Sequence, residues 1–236
     1  MRPFSERRTL EGPAGRIECV LERPVGTVRG FAFIGHPHPL YGGSLDNKVT
    51  VTLARAFLAL GWVAVRPNFR GVGESAGTHD NGVGETQDFL FLVDQVPRLA
   101  PWNLLPTPAP IALAGFSFGS YVAARAAQQL AQSARPVRTL VLIGTAAGKW
   151  PVPRVDPTTL VIHGEVDETV ALGDVFAWAR ESEVPVIVIP GADHFFHRRL
   201  TVLKRLVMLN LLGAAQLAAP TADRATRSPA WQAADE

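Results

Sequence analysis

The sequence predicts an α/β protein built on one mostly parallel, twisted sheet with helices on both faces. Short apolar runs alternate along the chain with longer segments of helical periodicity. The short runs are almost continuous in Val, Ile, Leu and Ala, which is typical of strands buried on both faces. The 236 residues show no abrupt change of composition, with 47% hydrophobic and 19% charged residues. One well-packed domain is therefore expected.

Six buried strands are predicted, over residues 28–34, 62–66, 111–114, 140–143, 160–163 and 184–189. Five helices are predicted between and after them, over residues 47–60, 84–98, 118–134, 171–183 and 198–212. Two earlier segments, 8–11 and 16–23, predict an antiparallel hairpin that extends one edge of the sheet. We expect residues 1–217 to form the domain. Residues 218–236, which are rich in Ala, Thr, Pro and Asp without periodicity, are expected to form a flexible tail.

Composition argues against several classes of partner. The 23 Lys and Arg against 21 Asp and Glu are scattered, so no nucleic-acid surface is expected. The single cysteine, Cys19, allows no intramolecular disulfide and is expected in the core. The first residues lack the apolar region of a signal peptide, and Lys204, Arg205 and Asn210 interrupt the apolar stretch 200–219. We therefore expect a cytoplasmic protein without membrane insertion.

A candidate nucleophile lies in the string Gly115-Phe116-Ser117-Phe118-Gly119. This string follows a predicted strand and opens a predicted helix, which is the context of a nucleophile elbow. Serine at such a turn adopts a strained backbone, and the flanking glycines remove side chains that would collide. Ser117 is thus expected to present its hydroxyl at the carboxyl end of the sheet.

A serine hydroxyl needs a base to take its proton, and that base needs an acid to orient it. Asp167 follows the strand at 160–163, and His194 follows the strand at 184–189. The chain order Ser, Asp, His is the order expected for this type of sheet. Ser117, Asp167 and His194 are therefore the predicted catalytic residues.

Neighbouring residues compete for these roles. Glu165 and Glu168 are alternative acids, although the distance from the strand end favours Asp167. His197 is an alternative base, but it lies at the start of the last predicted helix. Asp193 is expected to be a loop or capping residue, because adjacent side chains usually point apart.

Acyl transfer also requires two backbone N–H donors for the developing oxyanion. Phe118 supplies the first, directly after the serine. The second is expected from the loop 35–43, in which the prolines on either side of His38 have no N–H, so His38 is the chosen donor. Leu40 and Tyr41 of the same loop are expected to bind substrate.

The histidines raise the alternative of a metal site, because imidazole is a common zinc ligand. His36 and His38 lie in one loop, with His194 and His197 much later, and the usual ligand spacings are absent. No metal and no cofactor are expected. His36 is interpreted as a loop-ordering hydrogen-bonding residue, and His163 as the end of a buried strand.

Two strings carry a resemblance to a known family. Gly35-His36-Pro37-His38-Pro39-Leu40-Tyr41-Gly42-Gly43-Ser44-Leu45-Asp46-Asn47-Lys48 and Asn68-Phe69-Arg70-Gly71-Val72-Gly73-Glu74-Ser75 resemble the small bacterial α/β-hydrolases related to dienelactone hydrolase. The resemblance covers nearly everything except the tail, and it implies the α/β-hydrolase fold and carboxylesterase-like activity. Ser117 stands where dienelactone hydrolase has a cysteine, which favours ordinary ester chemistry. Arg70 is expected to be structural, and Asp46 and Asn47 to cap a helix.

The connection 144–159 between two predicted strands is too short for a cap domain. We therefore expect an open cleft, walled by Leu40, Tyr41, Trp150 and Phe195, that suits short or accessible esters.

The predicted function is that of a serine hydrolase acting on a small-molecule ester. Three alternatives remain open: a thioesterase, an amidase or peptidase with the same residues, and a non-catalytic binding protein on the same fold. A homodimer is compatible with the sequence, which does not determine the oligomeric state.

Overall fold

A single eight-stranded sheet forms the centre of the molecule in the computed structural model, which describes residues 4–217. The strand bounds are β1 Phe4–Gly12, β2 Gly15–Arg23, β3 Gly30–Gly35, β4 Trp62–Pro67, β5 Ile111–Phe116, β6 Thr139–Ile143, β7 Leu160–Gly164 and β8 Val186–Ile189. The six predicted strands and the predicted hairpin are all present. The predicted tail 218–236 lies outside the described residues.

The strand order is β1-β2-β4-β3-β5-β6-β7-β8. Strands β3 to β8 pair in parallel, and the antiparallel hairpin β1–β2 joins the sheet edge at β4. This arrangement is the α/β-hydrolase fold that the sequence predicts. Because β3 and β5 are neighbours, with Gly35 opposite Gly115, the loops that follow these two strands meet at the same end of the sheet.

In the described part of the chain, five α-helices cover the two faces of the sheet. Their bounds are α1 Lys48–Ala59, α2 Val83–Gln95, α3 Phe118–Gln132, α4 Leu172–Ser182 and α5 Leu200–Leu217. Side chains of α2, α3 and α4 share one buried apolar cluster, and those of α1 and α5 share another. The parallel strands β3 to β7 are therefore shielded from water on both faces, which explains the continuous apolar runs of the sequence, whereas the edge strand β8 is only partly buried.

Four helix ends differ from the predicted ones by two residues or more: α5 extends to Leu217 instead of 212, and the other three have a backbone reason. Helix α2 ends at Gln95 and continues as a short 3-10 turn, Val96–Arg98, because Pro97 has no N–H to donate. Helix α3 ends at Gln132, and Ala134 adopts a left-handed φ of 54°. Helix α5 starts at Leu200 because Arg198, with a φ of 58°, cannot be part of a right-handed helix.

Asn47 caps α1, as predicted, by accepting the backbone N–H groups of Val49 and Thr50. The neighbouring Asp46 has a different role from the predicted one. Its carboxylate contacts the guanidinium groups of Arg7 at 3.1 Å and Arg66 at 3.6 Å, so it links the first strand to β4.

Arg70 fastens the loop after β4 to helix α2. Its Nε and one terminal nitrogen donate to the two carboxylate oxygens of Asp88, each at 2.9 Å, and the same terminal nitrogen donates to the Gly84 carbonyl at 2.8 Å. Both side chains of the ion pair are largely buried. Arg70 thus has a structural role, as expected from the sequence.

Cys19 is fully buried in β2, and burial raises the pKa of its thiol to about 12. It is a core residue rather than a reactive thiol. Within residues 4–217, none of the helices combines the length and the apolar character needed to cross a bilayer.

Candidate active site

Ser117 occupies the sharp turn between β5 and α3, with φ 54° and ψ −123°. Its backbone N–H donates to the Ile143 carbonyl on β6 at 2.9 Å, and its carbonyl accepts from the Ser120 N–H at 2.8 Å. A non-glycine residue in this region of φ and ψ is strained, and such strain is concentrated at functional sites. The surrounding hydrogen bonds hold the turn in a conformation that a serine does not adopt by preference.

The two glycines of the elbow are required by close packing. A Cβ atom on Gly115 would overlap the backbone carbonyl of Gly119, and one on Gly119 would overlap the carbonyl of Gly35 at the end of β3. No flexible side chain could move aside, because the colliding atoms belong to the backbone. The sharp turn at Ser117 is possible only because the residues two positions before and after it lack side chains.

The structure brings Ser117, Asp167 and His194 together, although they lie far apart in the chain. His194 Nε2 is 3.0 Å from Ser117 Oγ, and His194 Nδ1 is 2.6 Å from Asp167 Oδ2. The backbone N–H groups of Thr169 and Val170 donate to Asp167 Oδ1 at 2.9 and 2.8 Å. All three side chains are largely buried. The result is a continuous hydrogen-bonded path from the carboxylate to the hydroxyl.

Asp167 is held in its ionised form. Burial by itself raises the pKa of this carboxyl, but the hydrogen bonds from His194 and from the Val170 N–H, with the nearby imidazoles, bring it below its ordinary value. The carboxylate is therefore an acceptor at neutral pH, and His194 Nδ1 must carry the hydrogen. His194 Nε2 is then free to accept the hydrogen of the Ser117 hydroxyl.

The competing acids and base are engaged elsewhere. Glu165 accepts the backbone N–H of Gly191 at 2.8 Å, and Glu168 is exposed. Asp193 accepts the backbone N–H of His197 at 3.0 Å, and its other oxygen is 2.6 Å from His197 Nδ1. His197 and Asp193 thus form a separate, exposed pair, which agrees with the loop role predicted for Asp193.

A cleft of about 380 Å³ opens at Ser117. Its lining residues are His38, Tyr41, Ser117, Phe118, Ala146, Lys149, Trp150, Thr169 and Val170. Within residues 4–217, the backbone N–H groups of His38 and Phe118 donate to no other protein group. Both amides therefore remain available to a ligand in this cleft.

Two residues expected to wall the cleft lie outside its lining. Leu40 belongs to a three-residue 3-10 helix, Pro39–Tyr41, and is 71% exposed. Successive residues of a 3-10 helix point about 120° apart. Tyr41, although 87% exposed, borders the cleft with its ring against that of His38, at a centroid distance of 4.7 Å. Phe195 packs against Phe116, with ring centroids 5.9 Å apart, rather than lining the cleft.

His36 orders the loop that carries His38. Its Nε2 accepts the backbone N–H of Phe69 at 2.9 Å, and its Nδ1 donates to the Pro37 carbonyl at 2.6 Å. The ring is fully buried, and burial lowers the pKa of His36 to about 4. This neutral histidine ties the loop after β3 to the loop after β4, as predicted for a loop-ordering residue.

The buried His36 predicts a loss of stability in mild acid. Its pKa falls from 6.5 in the unfolded chain to about 4 in the fold. Between these values the unfolded chain binds a proton that the folded protein does not. The free energy of unfolding should therefore decrease by about 3 kcal/mol as the pH falls from 6.5 to 4. Urea unfolding at pH 7, 5.5 and 4 measures this loss.

His36→Gln is the matched control for this measurement, because its side-chain oxygen can accept from the Phe69 N–H but does not titrate. The free energy of unfolding of the unmodified protein should lose about 3 kcal/mol relative to that of the Gln variant as the pH falls from 6.5 to 4. A constant difference from pH 7 to pH 4 would show that His36 is not the responsible group.

Sequence reasoning missed a further, buried histidine–acid pair behind the cleft. His79 Nδ1 is 2.9 Å from Glu85 Oε1, and Glu85 is fully buried. The His79 ring packs on those of His38 and Phe118, with centroids 4.7 and 5.2 Å apart. Glu85 also accepts the N–H of Gly82, three residues earlier, at the start of α2. The three-residue spacing from Gly82 to Glu85 is typical of helix capping and could have identified Glu85. Nothing in the sequence pointed to His79.

A mostly parallel eight-stranded sheet with a serine at a strand-to-helix elbow, facing a histidine and an aspartate, defines the class of α/β-hydrolase-fold proteins. Comparison with known proteins agrees. A model of the thioesterase domain family matches residues 102–155. An α/β serine hydrolase without a lid from Xanthomonas campestris superposes with a TM-score of 0.79 at 34% identity, over 90% of this chain and 96% of that one.

An α/β serine hydrolase homologue from Coxiella burnetii has a TM-score of 0.76 and 38% identity, over 87% of this chain and 97% of that one. A dienelactone hydrolase from Anabaena variabilis shares the fold, with a TM-score of 0.69 at 16% identity over 90% and 99% of the two chains. The chain belongs to the α/β serine hydrolases, and the resemblance predicted from its loop motifs is confirmed.

Proposed function

We propose that this protein hydrolyses carboxylic esters, with Ser117 as nucleophile, His194 as general base and Asp167 as the acid that orients it. One observation carries the proposal: the unbroken path Asp167–His194–Ser117, with separations of 2.6 and 3.0 Å, ends at an open cleft. The 3.0 Å distance lies within the range needed for proton transfer from a nucleophile to its base, and the 2.6 Å distance is that of a hydrogen bond between the base and its orienting acid.

The proposed reaction has two symmetrical halves. Ser117 Oγ attacks the ester carbonyl while its proton passes to His194 Nε2, and the N–H groups of His38 and Phe118 stabilise the oxyanion. Collapse of this intermediate expels the alcohol, which takes the proton from His194, and leaves an acyl group on Ser117. Water then attacks the acyl carbonyl while its proton passes to His194 Nε2. Collapse of this second intermediate releases the carboxylic acid, and His194 returns the proton to Ser117 Oγ.

The cleft suits small esters. Its volume of about 380 Å³ lies near the lower end of small-molecule sites. Residues 144–159 connect β6 to β7 without forming a helix over the cleft. His38, Phe118 and half-buried Trp150 pack together as an aromatic wall, with Trp150 4.9 Å from Phe118. Such a wall supports binding of short or planar groups next to Ser117.

A p-nitrophenyl ester series from acetate to palmitate tests the proposal. We expect turnover that is highest for short chains and declines for long ones, because the cleft cannot enclose a long acyl chain. A fluorophosphonate probe is expected to label Ser117. If no ester turns over and the probe leaves Ser117 unlabelled, the catalytic proposal fails and a non-catalytic binding function replaces it. A preference for palmitate would contradict the proposed substrate size.

Thioester hydrolysis is a second candidate, favoured by the match of residues 102–155 to the thioesterase domain family. That match includes β5 and Ser117, and the same three residues could cleave a thioester by the same steps. Comparing kcat/KM for an oxygen ester and a thioester with identical acyl groups separates the two candidates. A large preference for the thioester would replace the first assignment.

A further inference from the structure

His163 is a buried histidine that the proposed reaction does not use. It lies at the carboxyl end of β7 and has no exposed surface. Its Nε2 is 3.0 Å from the Val170 carbonyl oxygen and 3.4 Å from Asp167 Oδ2. A carbonyl and a carboxylate can only accept, so Nε2 must carry the hydrogen.

The other ring nitrogen of His163 has no hydrogen-bond partner among residues 4–217. Burial lowers the pKa of His163, so the ring is neutral and Nδ1 is a bare acceptor in an apolar environment. Buried polar atoms without partners are rare and call for an explanation.

We propose that His163 is a positioning residue for Asp167, an inference that rests on the proposed catalytic role of Asp167. The geometry forms a closed ring of contacts. The Val170 N–H donates to Asp167 Oδ1, and the His163 Nε2–H donates to the Val170 carbonyl while facing Asp167 Oδ2. The Val170 carbonyl thereby attaches the turn 167–170 to β7. The Asp167 carboxylate holds the same turn through the backbone N–H groups that it accepts.

This ring fixes the plane of the Asp167 carboxylate. Oδ1 accepts the two backbone N–H groups of the turn, which leaves Oδ2 directed at His194 Nδ1. Without the His163 donor, the Val170 carbonyl would lose its partner and the turn could shift. A displacement of about 1 Å at a catalytic group reduces rates by up to about 100-fold. His163 does not line the cleft, so substrate binding should be unaffected.

Three substitutions test this role. His163→Gln can place an amide N–H near the position of Nε2, His163→Asn reaches only the region of Nδ1, and His163→Leu removes both nitrogens. With p-nitrophenyl acetate, we expect kcat to fall at least tenfold in the Leu and Asn variants, with KM changed less than twofold. The Gln variant should keep kcat within about threefold of the unmodified protein. Thermal melting checks folding, and if the Leu variant does not fold, the contrast between Gln and Asn decides.

A second readout requires no substrate. The short contact between His194 Nδ1 and Asp167 should give a proton resonance far downfield, which we expect in the unmodified protein and the Gln variant but broadened or shifted in the Asn variant. Equal kcat values for Gln and Asn, with an unchanged resonance, would overturn the proposal. Failure of the proposed esterase function would appear separately, as absence of turnover in the unmodified protein while the resonance still distinguishes the variants.

Discussion

Replacing Ser117 by alanine is expected to lower kcat for p-nitrophenyl acetate by roughly four to six orders of magnitude. Alanine leaves no oxygen to attack the ester, and His194 Nε2, which lies 3.0 Å from the serine hydroxyl, has no proton to take. A small residual rate is expected because the two backbone amides of the cleft can still stabilise an oxyanion formed by water.

Folding should not change in this variant, because alanine adopts the same backbone and the elbow is held by hydrogen bonds of the main chain. Ser133→Ala, at the exposed end of α3, is the matched control and should keep full activity. Adding His194→Ala to Ser117→Ala should lower kcat little further, since residues that act as a unit are not additive. A Ser117→Ala protein with undiminished turnover would refute the assignment of the nucleophile.

Gly119→Ala is expected to destabilise the protein by about 4 kcal/mol or more. The new Cβ atom would overlap the carbonyl groups of Gly35 and His36, so the end of β3 would have to separate from the start of α3. That movement would break the approach of the His38 loop to the elbow. Urea unfolding, with activity measured on the fraction that remains folded, quantifies both losses.

The matched control is Gly173→Ala on α4, where an added Cβ atom meets nothing within 4 Å. Alanine is favoured over glycine inside a helix, so this variant should be stabilised by about 0.5 to 1 kcal/mol. The opposite signs of the two substitutions separate steric packing from helix propensity. Equal effects at the two positions would show that the close approach at the elbow is not tight.

Much of the fold could be predicted because each buried strand corresponds to a short apolar run in the sequence. A short apolar run depends only on burial of both faces of its strand, and the strands at 140–143 and 160–163 were predicted almost to the residue. The pairing of β2 with β4 was not predicted, since sequence spacing does not specify which strand becomes a neighbour. Helix ends were mispredicted where a left-handed residue lies at the boundary, as Arg198 does just before α5, because only packing imposes that conformation on a non-glycine residue.

The candidate site likewise contains residues that the sequence could predict and residues that it could not. Ser117, Asp167 and His194 each follow a recognisable strand, so their meeting at one sheet edge could be predicted from the order of the elements. Leu40 and Tyr41 are adjacent in the sequence, and only the geometry of their 3-10 turn decides which one faces the cleft. His79 packs on His38 and Phe118, which are distant in the sequence, and no local pattern encodes those contacts. His163 contacts the turn that follows its own strand, but one of its contacts is with a backbone carbonyl, which the residue types do not reveal.

The open connection between β6 and β7 has a consequence for the timing of the proposed reaction. Because residues 144–159 place no helix over Ser117, this connection adds no opening or closing step between the acyl group on the serine and the surrounding solvent. The chemical steps rather than a lid motion should then limit kcat, so solvent viscosity should have little influence on it. An added alcohol would reach the acyl group as readily as water does, and the protein should therefore transfer acyl groups to alcohols as well as release them as acids.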